Sequence, residues 1–126
     1  MLNHSPTPCI AVGIDGSQSA LDAALWAIDE AVHFGVPLRL VNVVEPAEPA
    51  LNDPGDLAPR MAAAEVAVRN ALTAVESTKR PVTIEAEILQ GRPVQTLLEA
   101  ARSALILGIG ARGLKHATQG RIGSTA

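Results

Sequence analysis

The feature that most constrains this chain is an alternation of short apolar runs with longer amphipathic stretches. Ile10–Ile14, Leu38–Val44 and Ala104–Ile109 are runs of five to seven mostly aliphatic residues, the length and composition of buried strands. Between them apolar residues recur at spacings of three and four. Leu21, Ala24, Leu25, Ile28 and Val32 form one stripe, Met61, Ala64, Val68, Leu72 and Val75 a second, and Val94, Leu97, Leu98 and Ala101 a third. From Val82 to Leu89 the period changes to two: Val82, Ile84, Ala86 and Ile88 alternate with Thr83, Glu85 and Glu87. Charges on one face of a strand predict an edge position.

The order β-α-β-α-β-α-β predicts parallel strands joined by right-handed crossovers with helices on both faces. The fold class is therefore α/β, a Rossmann-like three-layer sandwich with a mostly parallel sheet. Local punctuation agrees. Ser17 can cap the first helix, Gly35 can end it, and Pro37 forbids its continuation. Four of the nine prolines (46, 49, 54 and 59) fall between Pro46 and Pro59, which predicts a surface loop with Pro59 opening the second helix. Gly91-Arg92-Pro93 turns the chain into the third helix. The 126 residues, 48% of them hydrophobic, fit one domain with one core, over residues 1–126.

Composition removes several function classes. Aromatics are only 2%, which argues against the base-stacking platforms of single-stranded nucleic-acid binders. A single cysteine, Cys9, allows neither an internal disulfide framework nor a Cys-rich zinc site. His4, His33 and His116 form no cluster with metal-ligand spacing, and no G-x-S-x-G nucleophile elbow is present. No apolar run of about 18 residues is available to span a bilayer. The polar, proline-broken Met1–Pro8 lacks the form of a signal peptide, so a cytoplasmic location is expected.

Charge is unevenly placed. Residues 1–102 hold seven Lys or Arg against thirteen Asp or Glu, whereas residues 103–126 hold Arg112, Lys115 and Arg121 and no acid. This tail also carries Gly110, Gly113 and Gly123, then Ser124-Thr125. Glycines let backbone N–H groups approach an anion closely, and a helix starting just after adds its unpaired N–H groups. The segment thus reads as a phosphate site, although three glycines are also ordinary loop chemistry. Neither well-known phosphate signature is satisfied. There is no G-x-x-x-x-G-K-[ST], and Gly108-x-Gly110-x-x-Gly113 lies on the last strand rather than the first. The turn Gly13-Ile14-Asp15-Gly16-Ser17 is a second candidate, equally readable as a helix cap. The first and fourth strands both end in glycine-rich turns, which places both at one crevice.

With these residues in place the chain resembles the universal stress protein family. Ile10-Ala-Val-Gly-Ile-Asp-Gly-Ser17 is similar to that family's opening V-G-x-D-G-S, and Gly110, Gly113, Gly123 and Ser124 fit its G-x2-G-x9-G-[ST] nucleotide motif. Gly91-Arg92-Pro93 before an Ala/Leu-rich helix also resembles the family pattern, and the likeness covers residues 9–126. The resemblance implies strand order 3-2-1-4-5 and places the chain in the ATP-binding branch. It implies that Asp15 lies near adenine and ribose, with Gly13 of the same turn among the nucleotide-binding residues, and that Val43 offers its backbone to the adenine edge. It implies that Gly110, Ala111, Arg112 and Gly113 wrap the phosphates, with Gly123, Ser124 and Thr125 holding them at a helix N-terminus.

The expected ligand is ATP, with or without Mg²⁺, with AMP or cyclic AMP as alternatives. The expected role is regulatory binding in a stress response, without catalysis or with slow hydrolysis; no protein metal site is expected. The resemblance also implies a homodimer or tandem-domain pairing through a fifth strand. The sequence ends at Ala126, where the preceding helix would start, so the final helix and strand are expected to be absent. An adenylating enzyme of related fold fits less well, because its S-G-G-x-D-S loop is replaced by Gly-Ile-Asp-Gly-Ser. A ligand-free scaffold, half of a tandem protein, is the third reading.

Overall fold

The computed structural model describes residues 8–45 and 54–110. The elements are β1 (Cys9–Gly13), α1 (Gln18–Phe34), β2 (Leu38–Val44), α2 (Pro54–Glu76), β3 (Ile84–Gln90), α3 (Pro93–Ala100) and β4 (Ala104–Ile109). All four described strands are parallel, in the order β3-β2-β1-β4. This is the expected three-layer α/β topology, with β3 at one edge.

The crossovers fix the layers. From β1 through β2 to β3 the chain steps in one direction across the sheet, then returns past β1 to β4. Right-handed connections therefore put α1 and α2 on one face and α3 on the other. Contacts agree: α1 packs on β1 and β4, α2 on β2 and β3, and α3 on β2. The main core lies under α1 and α2. Ile10, Val12, Ile14, Leu38 and Leu40 of the sheet meet Ala20, Ala24, Ala27, Ile28 and Ala31 of α1 and Ala71 and Val75 of α2. Each fully buried Val, Leu or Ile contributes about 1.5–3 kcal/mol.

The buried stripe of α1 is turned from the one that spacing predicts. Leu25 is 38% exposed and Trp26 42%, while four alanines and Ile28 face inward. Alanine methyls let the helix axis approach the sheet closely, so the larger side chains, among them Leu21 and Val32, pack along the margin. The third helix departs further. None of its residues is buried, and Val94 and Leu98 are exposed with Leu105 of β4. A helix of eight residues covers only part of its sheet face.

Boundaries also move for physical reasons. The second helix begins at Pro54 rather than Pro59, so Pro59 lies inside it. Pro59 is the sixth residue of this helix, past the first turn where proline is tolerated, so it forgoes the bond to the carbonyl four residues back. The third strand starts at Ile84, because Val82 donates its N–H to the Arg80 carbonyl in a turn. The ends of α1 follow the sequence signals. Ser17 caps it by accepting the Ala20 N–H, and Gly35 ends it with φ 67°.

A Cβ at Gly35 would meet nothing within 4 Å, so the penalty for Gly35→Ala lies in the left-handed backbone alone. The expected loss is about 1 kcal/mol by urea denaturation, with Gly35→Asn losing less.

Candidate nucleotide site at the carboxyl ends of the strands

Strand β1 runs beside both β2 and β4, and the connections leave it in opposite directions. Ligand crevices of open parallel sheets form at such a reversal, outside the carboxyl ends of the strands.

At β1 the ladder with β2 ends at the pair Gly13–Val41, and the Ile14 N–H closes it on the Val41 carbonyl at 2.7 Å. The turn that follows is organised by Asp15. Its Oδ1 accepts the Ser17 N–H at 2.9 Å and the Ser17 Oγ–H at 2.6 Å. Ser17 Oγ in turn accepts the Ala20 N–H at 3.1 Å and lies 3.2 Å from Ser19 Oγ. Gly16 holds φ 88° and lies against Ala67 of α2. The cap and the ligand reading of this turn are thus compatible: one carboxylate oxygen orders the turn, while the exposed second oxygen makes no hydrogen bond among the described residues.

Gly110, the residue after β4, is buried against α1. A Cβ there would stand 2.6 Å from Ser19 Oγ, 2.7 Å from the Ala20 nitrogen and 2.9 Å from the Ser19 carbonyl carbon. Glycine is required because the end of β4 rests on the first turn of α1. Gly13 is tight in a softer way, its nearest neighbours being Leu97 Cδ2 at 3.0 Å and Ile109 Cγ2 at 3.1 Å. On β2, Val43 is half-buried, and Arg60 donates from Nη1 to the Glu45 carbonyl at 2.8 Å.

Four of the residues implied by the resemblance, Gly13, Asp15, Val43 and Gly110, are therefore brought to one end of the sheet. The other six, Ala111, Arg112, Gly113, Gly123, Ser124 and Thr125, lie outside the described residues. A residue that the sequence reading passed over is Asn42, buried at 8% exposure, whose Nδ2 donates to the Ile14 carbonyl at 2.7 Å. Its signal was the one polar side chain within the apolar run Leu38–Val44 besides Arg39.

The amino half of the sheet is built differently. Arg39 Nε lies 3.3 Å from Glu85 and 3.7 Å from Glu87, on the face that α3 shares. The acids are close to half exposed, so each pair is worth at most about 1 kcal/mol. Nearby, burial pushes the Cys9 thiol up, and the Arg39 charge opposes the shift in part. A depression of about 220 Å³ beside Val32, Gly35, Val36, Pro37, Pro81 and Val82 has no charged lining and lies at the amino end of the sheet, away from Gly13 and Gly110. Among the described residues no group of three or more His, Cys, Asp or Glu could hold a metal, and no helix is long and apolar enough to cross a membrane.

Fold and crevice together define a doubly wound parallel α/β protein with its candidate site at the strand reversal. The sequence model of the universal stress protein family matches residues 9–126, and the chain belongs to that family. A universal stress protein of Mycobacterium tuberculosis is 50% identical over 124 residues, covering 98% of this chain. The chain spans only 44% of that relative's length. Among solved structures, a universal stress protein from Lactobacillus plantarum superposes with a TM-score of 0.72 and 27% identity, covering 98% of this chain and 91% of its own. A universal stress protein solved in complex with cAMP gives 0.68 and 26%, covering 94% and 85%.

Two outcomes follow from this geometry. Gly110→Ala must displace backbone and is expected to cost about 1–3 kcal/mol, whereas Gly13→Ala meets only movable side-chain ends and costs less; paired thermal melts compare them. The raised Cys9 pKa means that stability from this group is intact below the ordinary thiol pKa of 9.0 and is lost as pH climbs through the higher folded value. Cys9→Ala should therefore flatten the alkaline side of a stability profile, and the native thiol should resist alkylation at pH 8.

Proposed function

We propose that this chain is a regulatory adenine-nucleotide binder that holds its ligand at the carboxyl ends of β1, β2 and β4 without serving as a catalyst. The observation that carries the reading is the convergence of the Asp15 turn, the Val43 backbone and Gly110 on one crevice. The ordered carboxylate of Asp15 presents its second oxygen to ribose hydroxyls. The N–H and C=O of Val43 offer a donor and an acceptor to the adenine edge.

The phosphates are assigned to Gly110, Ala111, Arg112, Gly113, Gly123, Ser124 and Thr125, by their fit to G-x2-G-x9-G-[ST] and the acid-free charge of this segment. The complete motif favours ATP, and the cAMP complex of a 26%-identical neighbour supports an adenine nucleotide more broadly. Asp15 suits ligand presentation, because its Oδ1 is committed to ordering the turn and its second oxygen is left for the ribose. Because relatives are more than twice as long, pairing with a second domain or a second copy is part of the proposal, along with a cytoplasmic location.

Isothermal titration with ATP, ADP, AMP and cyclic AMP, with and without Mg²⁺, tests this directly. Saturable binding of at least one is expected, and Gly113→Leu should abolish it while leaving the melting curve in place. No heat with any of the four refutes the reading.

A further inference from the structure

Strand β2 outruns its neighbour. Its ladder with β1 stops at Val41, but its ladder with β3 continues to the pair Val44–Gln90. The residues of β2 alternate in which neighbour they address. Leu38 donates its N–H to Thr83 before β3, and Val44 accepts the Gly91 N–H after it, whereas Val41 accepts the Ile14 N–H from the β1 side. The N–H and C=O of Val43 therefore point to the β1 side as well.

One more step of the ladder would pair the Val43 N–H with the Ile14 carbonyl. That bond is not made, because the register ends at Gly13–Val41. The Ile14 carbonyl is taken instead by Asn42 Nδ2 at 2.7 Å, from a side chain only 8% exposed. An amide is here placed where the next main-chain donor would go. A buried carbonyl is costly to leave unpaired, so this substitute bond holds Ile14, and the Asp15 turn after it, apart from Val43.

We infer that Asn42 is a positioning residue that ends the β1–β2 ladder and keeps the Val43 main chain free to read the base of the nucleotide. The inference rests on the functional reading above and adds a determinant of base preference to it. A main-chain donor beside a main-chain acceptor complements adenine, whose N1 accepts and whose 6-amino group donates. It opposes hypoxanthine, which carries N1–H and a 6-oxo group. Were Asn42 lost, the freed Ile14 carbonyl would draw the Val43 N–H into the ladder.

The test compares AMP with inosine monophosphate on the full chain, for wild type, Asn42→Leu and Asn42→Asp. The carboxylate of Asn42→Asp cannot donate to the Ile14 carbonyl. Wild type is expected to prefer AMP by about tenfold, the scale of one hydrogen bond, and both variants should bring the preference close to unity. Generalised loosening would weaken both ligands alike and keep their ratio; that result overturns the inference while the functional reading stands. A wild-type chain that binds no adenine nucleotide overturns both. A second measurement needs no variant and no ligand: amide hydrogen exchange in the free chain. Val43 should exchange faster than Val41, and a Val43 amide as protected as Val41 overturns the inference.

Discussion

Everything described in this chain is organised around the pairing of β1 on both of its edges. Cys9, Ile10, Ala11 and Val12 are fully buried, with β2 on one side and β4 on the other. Parallel pairing puts the carboxyl ends of all three strands at one end of the sheet, so the turns after β1 and β4 lie side by side. The side chains of Ile10, Val12 and Ile14 supply the floor on which α1 and α2 pack. A strand buried on both faces and both edges has little freedom of register, since a shift by one residue would exchange the large Ile10, Val12 and Ile14 for the small Cys9, Ala11 and Gly13 in the packed core.

The crevice inherits its precision from that constraint. Gly110 can rest on the first turn of α1 because β4 is held beside β1 and because it lacks a Cβ. Asp15 is aimed by Ser17, which is fixed as the cap of the same helix. The start of α1 thus serves helix stability, strand packing and ligand presentation at once. A glycine that reads in the sequence as phosphate chemistry proves to be needed for packing too, and the two uses do not compete.

The layer order and the edge position of β3 were legible because a period of two sets Glu85 and Glu87 apart from Ile84 and Ile88, although burial along the strand follows it only in part, with Ala86 exposed and Glu87 half-buried. Less legible was which residues of α1 face inward. Spacing alone favoured Leu25, but the close approach of helix to sheet selects the alanines. Pro59 misplaced the start of α2, since a proline near the beginning of a helix does not mark its first residue. Asn42 escaped notice because its role depends on a partner 28 positions away, the Ile14 carbonyl, which no local pattern reveals. Gly110 and the Asp15 turn were candidates from their glycine-rich turns and Val43 from family resemblance alone, and the structure brings these residues to one end of the sheet.

The central claim is that an adenine nucleotide sits where β1, β2 and β4 end. Backbone amide chemical shifts of the isotopically labelled chain, followed as cyclic AMP or ATP is added, test it most directly. The account predicts shifts concentrated at Gly13–Ser17, Val43–Glu45 and Gly110, with the amino-end residues Arg39 and Glu85 unmoved. Shifts clustered instead around Val36, Val82 and Thr83 at the opposite end of the sheet, or no shifts at saturating nucleotide, would contradict it.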